Sequence, residues 1–131
     1  MKLILLILLF AFNISYAQEV RCSTVNSTIG YSYVYATDKY EQSVKSMDRV
    51  KICMGPETIA IGQKTSFYMG KAINEVRDKD GLTYRMYATN EKDQHLILEI
   101  WFSNQSRSRM VVTAIFPKLY YIEYYVEQSV E

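Results

Sequence analysis

Histidine is nearly missing from this chain: His95 is the only one in 131 residues. Cysteine and proline number two each, glycine five and tryptophan one. Each shortage excludes something. One histidine and two cysteines leave no ligand set for zinc. No loop alternates acidic residues around a glycine, as a calcium loop does. No metal or other cofactor is therefore expected. His95 opens an apolar stretch beside Asp93, and no nucleophile motif such as G-x-S-x-G accompanies it, so it reads as a surface residue rather than a catalytic base. An excess of one charge is lacking too. Fifteen basic residues face fourteen acidic ones, which argues against nucleic acid or an anionic membrane as the main partner, since both require a concentrated positive surface. No Pro/Gly/Ser-rich linker, repeat or low-complexity segment divides the chain.

The longest apolar run sits at the start. Lys2 gives a short positive beginning, Leu3 to Phe12 an apolar block, and Ser15-Tyr16-Ala17 a small-x-small cleavage site. This reads as a secretory signal peptide over residues 1–17, with Gln18 as the new N-terminus. The block is roughly ten residues, half of the ~20 that span a bilayer, so no stable membrane insertion is expected after cleavage. Arg21 and Glu19 ahead of Cys22 do not suit a lipid anchor. The expected product is exported, either extracellular or periplasmic, with residues 18–131 as a single domain. In an oxidising compartment Cys22 and Cys53 are expected to form a disulfide.

What the chain has in quantity is tyrosine, twelve of them, set among β-branched residues. Ile29 to Ala36 alternates, with Tyr31, Tyr33 and Tyr35 on one face and Ser32, Val34 and Ala36 on the other. Arg49 to Met54 alternates again until Gly55-Pro56, and Glu57 to Ile61 follows as the second arm of a hairpin. Thr65 to Arg77 is a long extended stretch in which Gly70 offers the easiest place for a bulge. Asp80-Gly81 marks the clearest hairpin turn. Leu82 to Ala88, His95 to Phe102 and Arg109 to Phe116 follow, with Leu119 to Val126 last. Leu96, Leu98, Ile100 and Phe102 form one apolar face of the central strand and are expected in the core. Only residues 37–48 break the rhythm. Tyr40, Val44 and Met47 stand at i, i+4 and i+7, with Thr37 or Asp38 as a cap, which suggests one short helix or a turn packed across a sheet opening.

Seven or eight strands joined by short turns, with no room for crossover helices, imply an all-β fold. The expected architecture is a small antiparallel meander, closed as a barrel or folded as a sandwich, with at most one short helix near 38–47. The pattern of successive hairpins after a signal peptide resembles the small lipocalin-like barrels. Those barrels usually show a Gly-x-Trp near the first strand; here the only tryptophan is Trp101, near the end, so no residue role is carried over.

A half-exposed antiparallel sheet alternates apolar with polar residues. Here Tyr87, Ile97, Trp101, Val111 and Ile115 lie opposite the inward set, so either a second layer covers that face or it meets a ligand or partner. Trp101, Tyr87 and Ile97, with the tyrosine ladder Tyr31, Tyr33 and Tyr35, are the candidate binding residues. The corresponding expectation is a secreted, non-enzymatic protein that binds an apolar small ligand or a protein partner through aromatic side chains. Two alternatives come from other classes. A secreted inhibitor would present the loop Ser103–Ser108 to an enzyme. A small hydrolase would use Glu99 and Glu123 as paired carboxylates in a shared cavity, although cross-strand pairing of these residues with Arg85, Lys71 or Arg109 is the plainer expectation. Asn26-Ser-Thr28 and Asn104-Gln-Ser106 match the N-glycosylation pattern.

Overall fold

The computed structural model describes residues 20–105 and 109–127. Residues 1–19, with the expected signal peptide, the tail after Glu127, and residues 106–108 of the Ser103–Ser108 loop (with Ser106 of the second glycosylation pattern) lie outside the described residues. Among the described residues there is no helix. Nine antiparallel strands follow one another: β1 (Arg21–Val34), β2 (Lys39–Ser46), β3 (Val50–Met54), β4 (Thr58–Ile61), β5 (Thr65–Arg77), β6 (Gly81–Asn90), β7 (His95–Ser103), β8 (Arg109–Phe116) and β9 (Tyr120–Glu127). From β3 to β9 each strand pairs with the next, and β9 returns to β1 from Val25↔Val126 to Ser32↔Tyr120. The sheet therefore closes as an eight-stranded barrel, with β2 as one extra strand. The barrel is realised and the sandwich is not.

The short helix expected near 38–47 is replaced by β2. It pairs with β1 from Val34↔Lys39 to Thr28↔Ser46. The helical spacing was produced by two irregularities. Ser43 is an extra residue between Gly30↔Val44 and Tyr31↔Gln42, which switches the faces of the strand midway. Met47 falls beyond the strand altogether. A bulge, two lysines and Glu41 on an outer edge are devices that discourage edge-to-edge pairing.

β1 holds the barrel together. Its first half pairs with β3 from Arg21↔Met54 to Val25↔Val50, and its second half with β2, on the edge opposite β9. Asn26 is bulged between Val25↔Val126 and Ser27↔Tyr125, so Val25 points inward while Ser27 and Tyr31 point outward. Cys22 and Cys53 face each other in the β1–β3 register and are disulfide-bonded, 31 residues apart. Closing a loop of that length restricts the unfolded chain, and the Cys22→Ser/Cys53→Ser double variant is expected to lose roughly 3 kcal/mol of stability. Urea unfolding of the oxidised protein and the variant checks this; coincident midpoints would contradict it.

The core fills the interior. Val25, Ile52, Ile59, Leu98, Val112 and Ala114 are wholly inaccessible, with Phe67, Leu96, Ile100, Met110, Phe116, Tyr124 and Val126 packed around them. Wholly inaccessible side chains have no water-sized space beside them, so this part of the barrel is packed rather than hollow. Phe102 departs from expectation. It shares the inward parity of Leu98 but is 38% exposed, because it sits at the barrel's end, paired with Leu82 one residue from the start of β6. The long β5 carries bulges between Met69 and Ala72 and again before Asn74, the first of them spanning Gly70 and Lys71, where Gly70 offered the easiest place.

Turn chemistry accounts for the connections. Asp78 Oδ1 accepts hydrogen bonds from the backbone N–H groups of Asp80 and Gly81, both at 2.8 Å, an Asx turn. Buried Asn90 organises the next turn: its Oδ1 accepts from Lys92 N–H (3.0 Å) and Gln94 N–H (2.9 Å), and its Nδ2 donates to Gln94 Oε1 (2.8 Å).

Candidate functional site

The registers order the outside of the barrel into rows. One row runs Tyr87, Ile97, Ile115, Tyr121, Tyr31 across β6, β7, β8, β9 and β1. The next runs Arg85, Glu99, Thr113, Glu123, Ile29, and the third Thr83, Trp101, Val111, Tyr125, Ser27. All of these alternate with core residues, so period-two patterning turns them outward. Trp101, Tyr87, Ile97 and Tyr31 thus share one surface. Among the described residues no second layer covers it, and the residue 37–48 segment extends the sheet instead of lying across it.

At one end of this surface the tyrosines touch. Tyr31 and Tyr121 stack with ring centroids 4.4 Å apart and planes 19° apart. Tyr40 meets Tyr121 edge-on at 4.9 Å and Tyr33 at 5.1 Å, and Tyr33 meets Tyr35 at 4.8 Å. Tyr31 and Tyr33 lie in β1 as expected, whereas Tyr35 belongs to the β1–β2 turn and is 72% exposed. Hydrogen bonds tie this corner to the β8–β9 turn: Tyr35 Oη donates to Lys118 O (2.9 Å), and Lys118 N–H donates to Tyr40 Oη (3.0 Å). Tyr40 and Tyr121 are the members that sequence reasoning missed. Tyr40 falls in the segment whose spacing suggests a short helix or a turn, and Tyr121 is one of four tyrosines between Leu119 and Val126, on both faces of the strand.

At the other end Trp101 borders a groove of about 420 Å³, together with Val111, Tyr125, Arg109 and Ser27. Its indole lies across Gly81: a Cβ built there would meet Trp101 Nε1 at 2.6 Å. Trp101 is therefore half core and half surface, while Tyr87, 55% exposed, is free to meet a partner. A larger, open depression of about 1210 Å³ beside the disulfide is lined by polar residues including Arg21, Arg49, Lys51 and Glu127. It gathers none of the aromatic candidates.

The carboxylates Glu99 and Glu123 share the middle row but stand outside the barrel, with Thr113 between them. Their backbones are two strand spacings apart, roughly 10 Å. Glu99 is engaged by Arg85, whose Nε lies 2.9 Å from Oε1 at an angle too bent for a hydrogen bond; such half-exposed pairs add ~1 kcal/mol or less. Glu123 accepts a hydrogen bond from Tyr125 Oη (3.1 Å). Paired acid–base chemistry in a shared cavity finds no support in this arrangement. His95 is exposed at the start of β7, and no cluster of three or more potential metal ligands occurs among the described residues.

Electrostatics mark the tyrosines around Glu123. Burial, then the carboxylate of Glu123 as charge and hydrogen-bond partner, pushes Tyr125 up to about 12. Tyr31 is raised by burial and then by its hydrogen bond to Glu123 and that group's charge, and Tyr121 by burial and then by the charge of Glu123. Tyr124, inside the barrel, is pushed up to about 12 by burial and then by Tyr120 and Glu91. A phenol whose folded pKa is raised favours folding fully below its unfolded value near 10 and loses that contribution as pH climbs through the folded value. Stability is therefore expected to fall between pH 10 and about 12. Tyrosinate absorbance measured with circular dichroism checks this: the last phenols should ionise together with loss of the fold, and complete ionisation by pH 10.5 without unfolding would contradict it.

Compared with protein-family models, curated proteins and solved structures, the chain matches none of them.

Proposed function

We propose that this protein is an exported, non-catalytic β-barrel that recognises a partner protein through the aromatic surface on its outside. The observation that carries the reading is the division of the two faces. The part of the interior around Leu98 and Val112 is occupied by the barrel's own side chains, while Tyr31, Tyr33, Tyr87, Ile97 and Trp101 lie outward and Tyr35 is exposed in a turn. Ligand-binding barrels keep room inside, and that room is missing beside Leu98 and Val112. Tyrosine supplies a large contact area with few rotatable bonds and a polar tip, which suits a protein interface more than a small apolar ligand. Export is supported by the N-terminal pattern over residues 1–17 and by the Cys22–Cys53 disulfide, which persists in oxidising compartments.

Tyr35 and Tyr87 test the proposal because both are exposed and neither supports the core. Tagged wild-type protein and the Tyr35→Ala/Tyr87→Ala variant are incubated with medium from the native host, and captured species are identified by mass spectrometry. The expected outcome is a protein partner held by the wild type and lost, by about tenfold or more, from a variant that keeps the wild-type circular dichroism spectrum. Equal capture by both, or purification with a small apolar molecule and no protein, would overturn it.

A further inference from the structure

The five tyrosines on β1, β2, β9 and the β1–β2 turn form an unbroken chain of ring contacts, from exposed Tyr35 through Tyr33, Tyr40 and Tyr121 to Tyr31. Twelve tyrosines in a small β protein make some ring contacts unavoidable. A chain of five, with every neighbouring pair of centroids 4.4–5.1 Å apart, is a more specific arrangement. We propose that this chain is an oxidative modification site, closing with a covalent dityrosine bond between Tyr31 and Tyr121.

Three features of the geometry carry the step. Tyr31 and Tyr121 are direct partners in the β1–β9 register, and their rings lie nearly parallel at 4.4 Å. Tyr35, at 72% exposure, is the place where an external oxidant takes an electron, and the ring contacts let the vacancy pass inward. Glu123, two residues after Tyr121 on the same face, is hydrogen-bonded to Tyr125 and interacts with Tyr31. It provides a carboxylate to receive a phenolic proton as the electron leaves.

The oxidant is hydrogen peroxide acting through a peroxidase. Each of the two phenols gives up one electron and its hydroxyl proton, and the peroxide accepts two of each and leaves as two waters. The two phenoxyl radicals join through the ring carbons ortho to their oxygens. The hydrogens on those carbons then move to the oxygens, which restores two phenols joined by one C–C bond. The disulfide already ties β1 to β3 on one side; the new bond ties β1 to β9, the seam that closes the barrel.

The experiment treats dilute wild-type protein with a peroxidase and limiting hydrogen peroxide. It reads dityrosine fluorescence, and the joined peptides are mapped by mass spectrometry after digestion. The expected product is an intrachain link between the peptides holding Tyr31 and Tyr121. Tyr121→Phe and Tyr31→Phe, which keep the ring packing, should each abolish it, whereas Tyr87→Phe should leave its yield unchanged. Links formed mainly between chains through exposed Tyr35, Tyr68 or Tyr87, or an intrachain yield indifferent to Tyr121→Phe, would overturn the proposal.

Discussion

Leu98→Ala is expected to lower the unfolding free energy by about 4 kcal/mol. Leu98 lies midway along β7, wholly inaccessible, with Met86 opposite on β6 and Ala114 opposite on β8. Truncation removes apolar contacts and leaves a cavity. Hydrogen-bonded strands on both sides hold the backbone apart, so the void collapses little. Against a typical domain stability of roughly 5–15 kcal/mol this is a large fraction. Ile97→Ala, one residue away on the outer face, provides the comparison. Its side chain is only partly covered, so its truncation is expected to cost about 1 kcal/mol. Urea unfolding of the two variants checks both values. Equal losses would mean that the two faces of β7 do not differ as described.

Gly81→Ala should be comparably damaging, at ~4 kcal/mol, for the opposite reason. A Cβ at this position would stand 2.2 Å from Phe102 O and 2.6–2.8 Å from the Trp101 indole. The carbonyl belongs to the paired β7 backbone and cannot swing aside, and the indole is packed on the glycine itself. Gly30→Ala is the control, since its Cβ would meet only ordinary contacts at 3.7 Å and beyond; it is expected to change stability by less than about 1 kcal/mol. Trp101 emission reports the same event spectroscopically. The Gly81 variant should show a red-shifted spectrum together with its lower unfolding midpoint, and a wild-type spectrum and midpoint would contradict the seating of Trp101 on Gly81.

Gly81 also shows what the sequence could and could not tell. Asp80-Gly81 located the hairpin correctly, but the glycine does not serve a left-handed turn conformation: among the described glycines only Gly62 has a positive φ. The turn is made by the Asp78 side chain, and the glycine is needed by a tryptophan on the adjacent strand, a contact that no local pattern reveals. Strands with unbroken alternation were legible almost to the residue, as for His95–Phe102 and Arg109–Phe116. Two bulges hid the alternation around them. Ser43 gave β2 the appearance of a short helix or turn, and Asn26 interrupts β1, of which only the part from Ile29 onward stands out as alternation. Phe102 failed for another reason, since parity gives the face of a residue but not its distance from the barrel's end. The second apolar face of the central strands was visible in the sequence. That it forms the outside of a closed barrel became apparent only with the β1–β9 pairing, a contact between the two ends of the domain.

Core and aromatic surface are both set by which face of each strand is inside, because a slip of one residue in any register would exchange them. Proton NMR of the folded protein tests this directly through contacts between side chains. The structure predicts that the methyl groups of Ile52, Leu98, Val112 and Val126 belong to one network of core contacts that includes Tyr124, while the ring of Tyr121 contacts those of Tyr31 and Tyr40. Contacts from the Tyr31 or Tyr121 rings to the methyls of Leu98 or Val112 would place the aromatic surface inside the barrel and contradict both the fold and the function proposed for it.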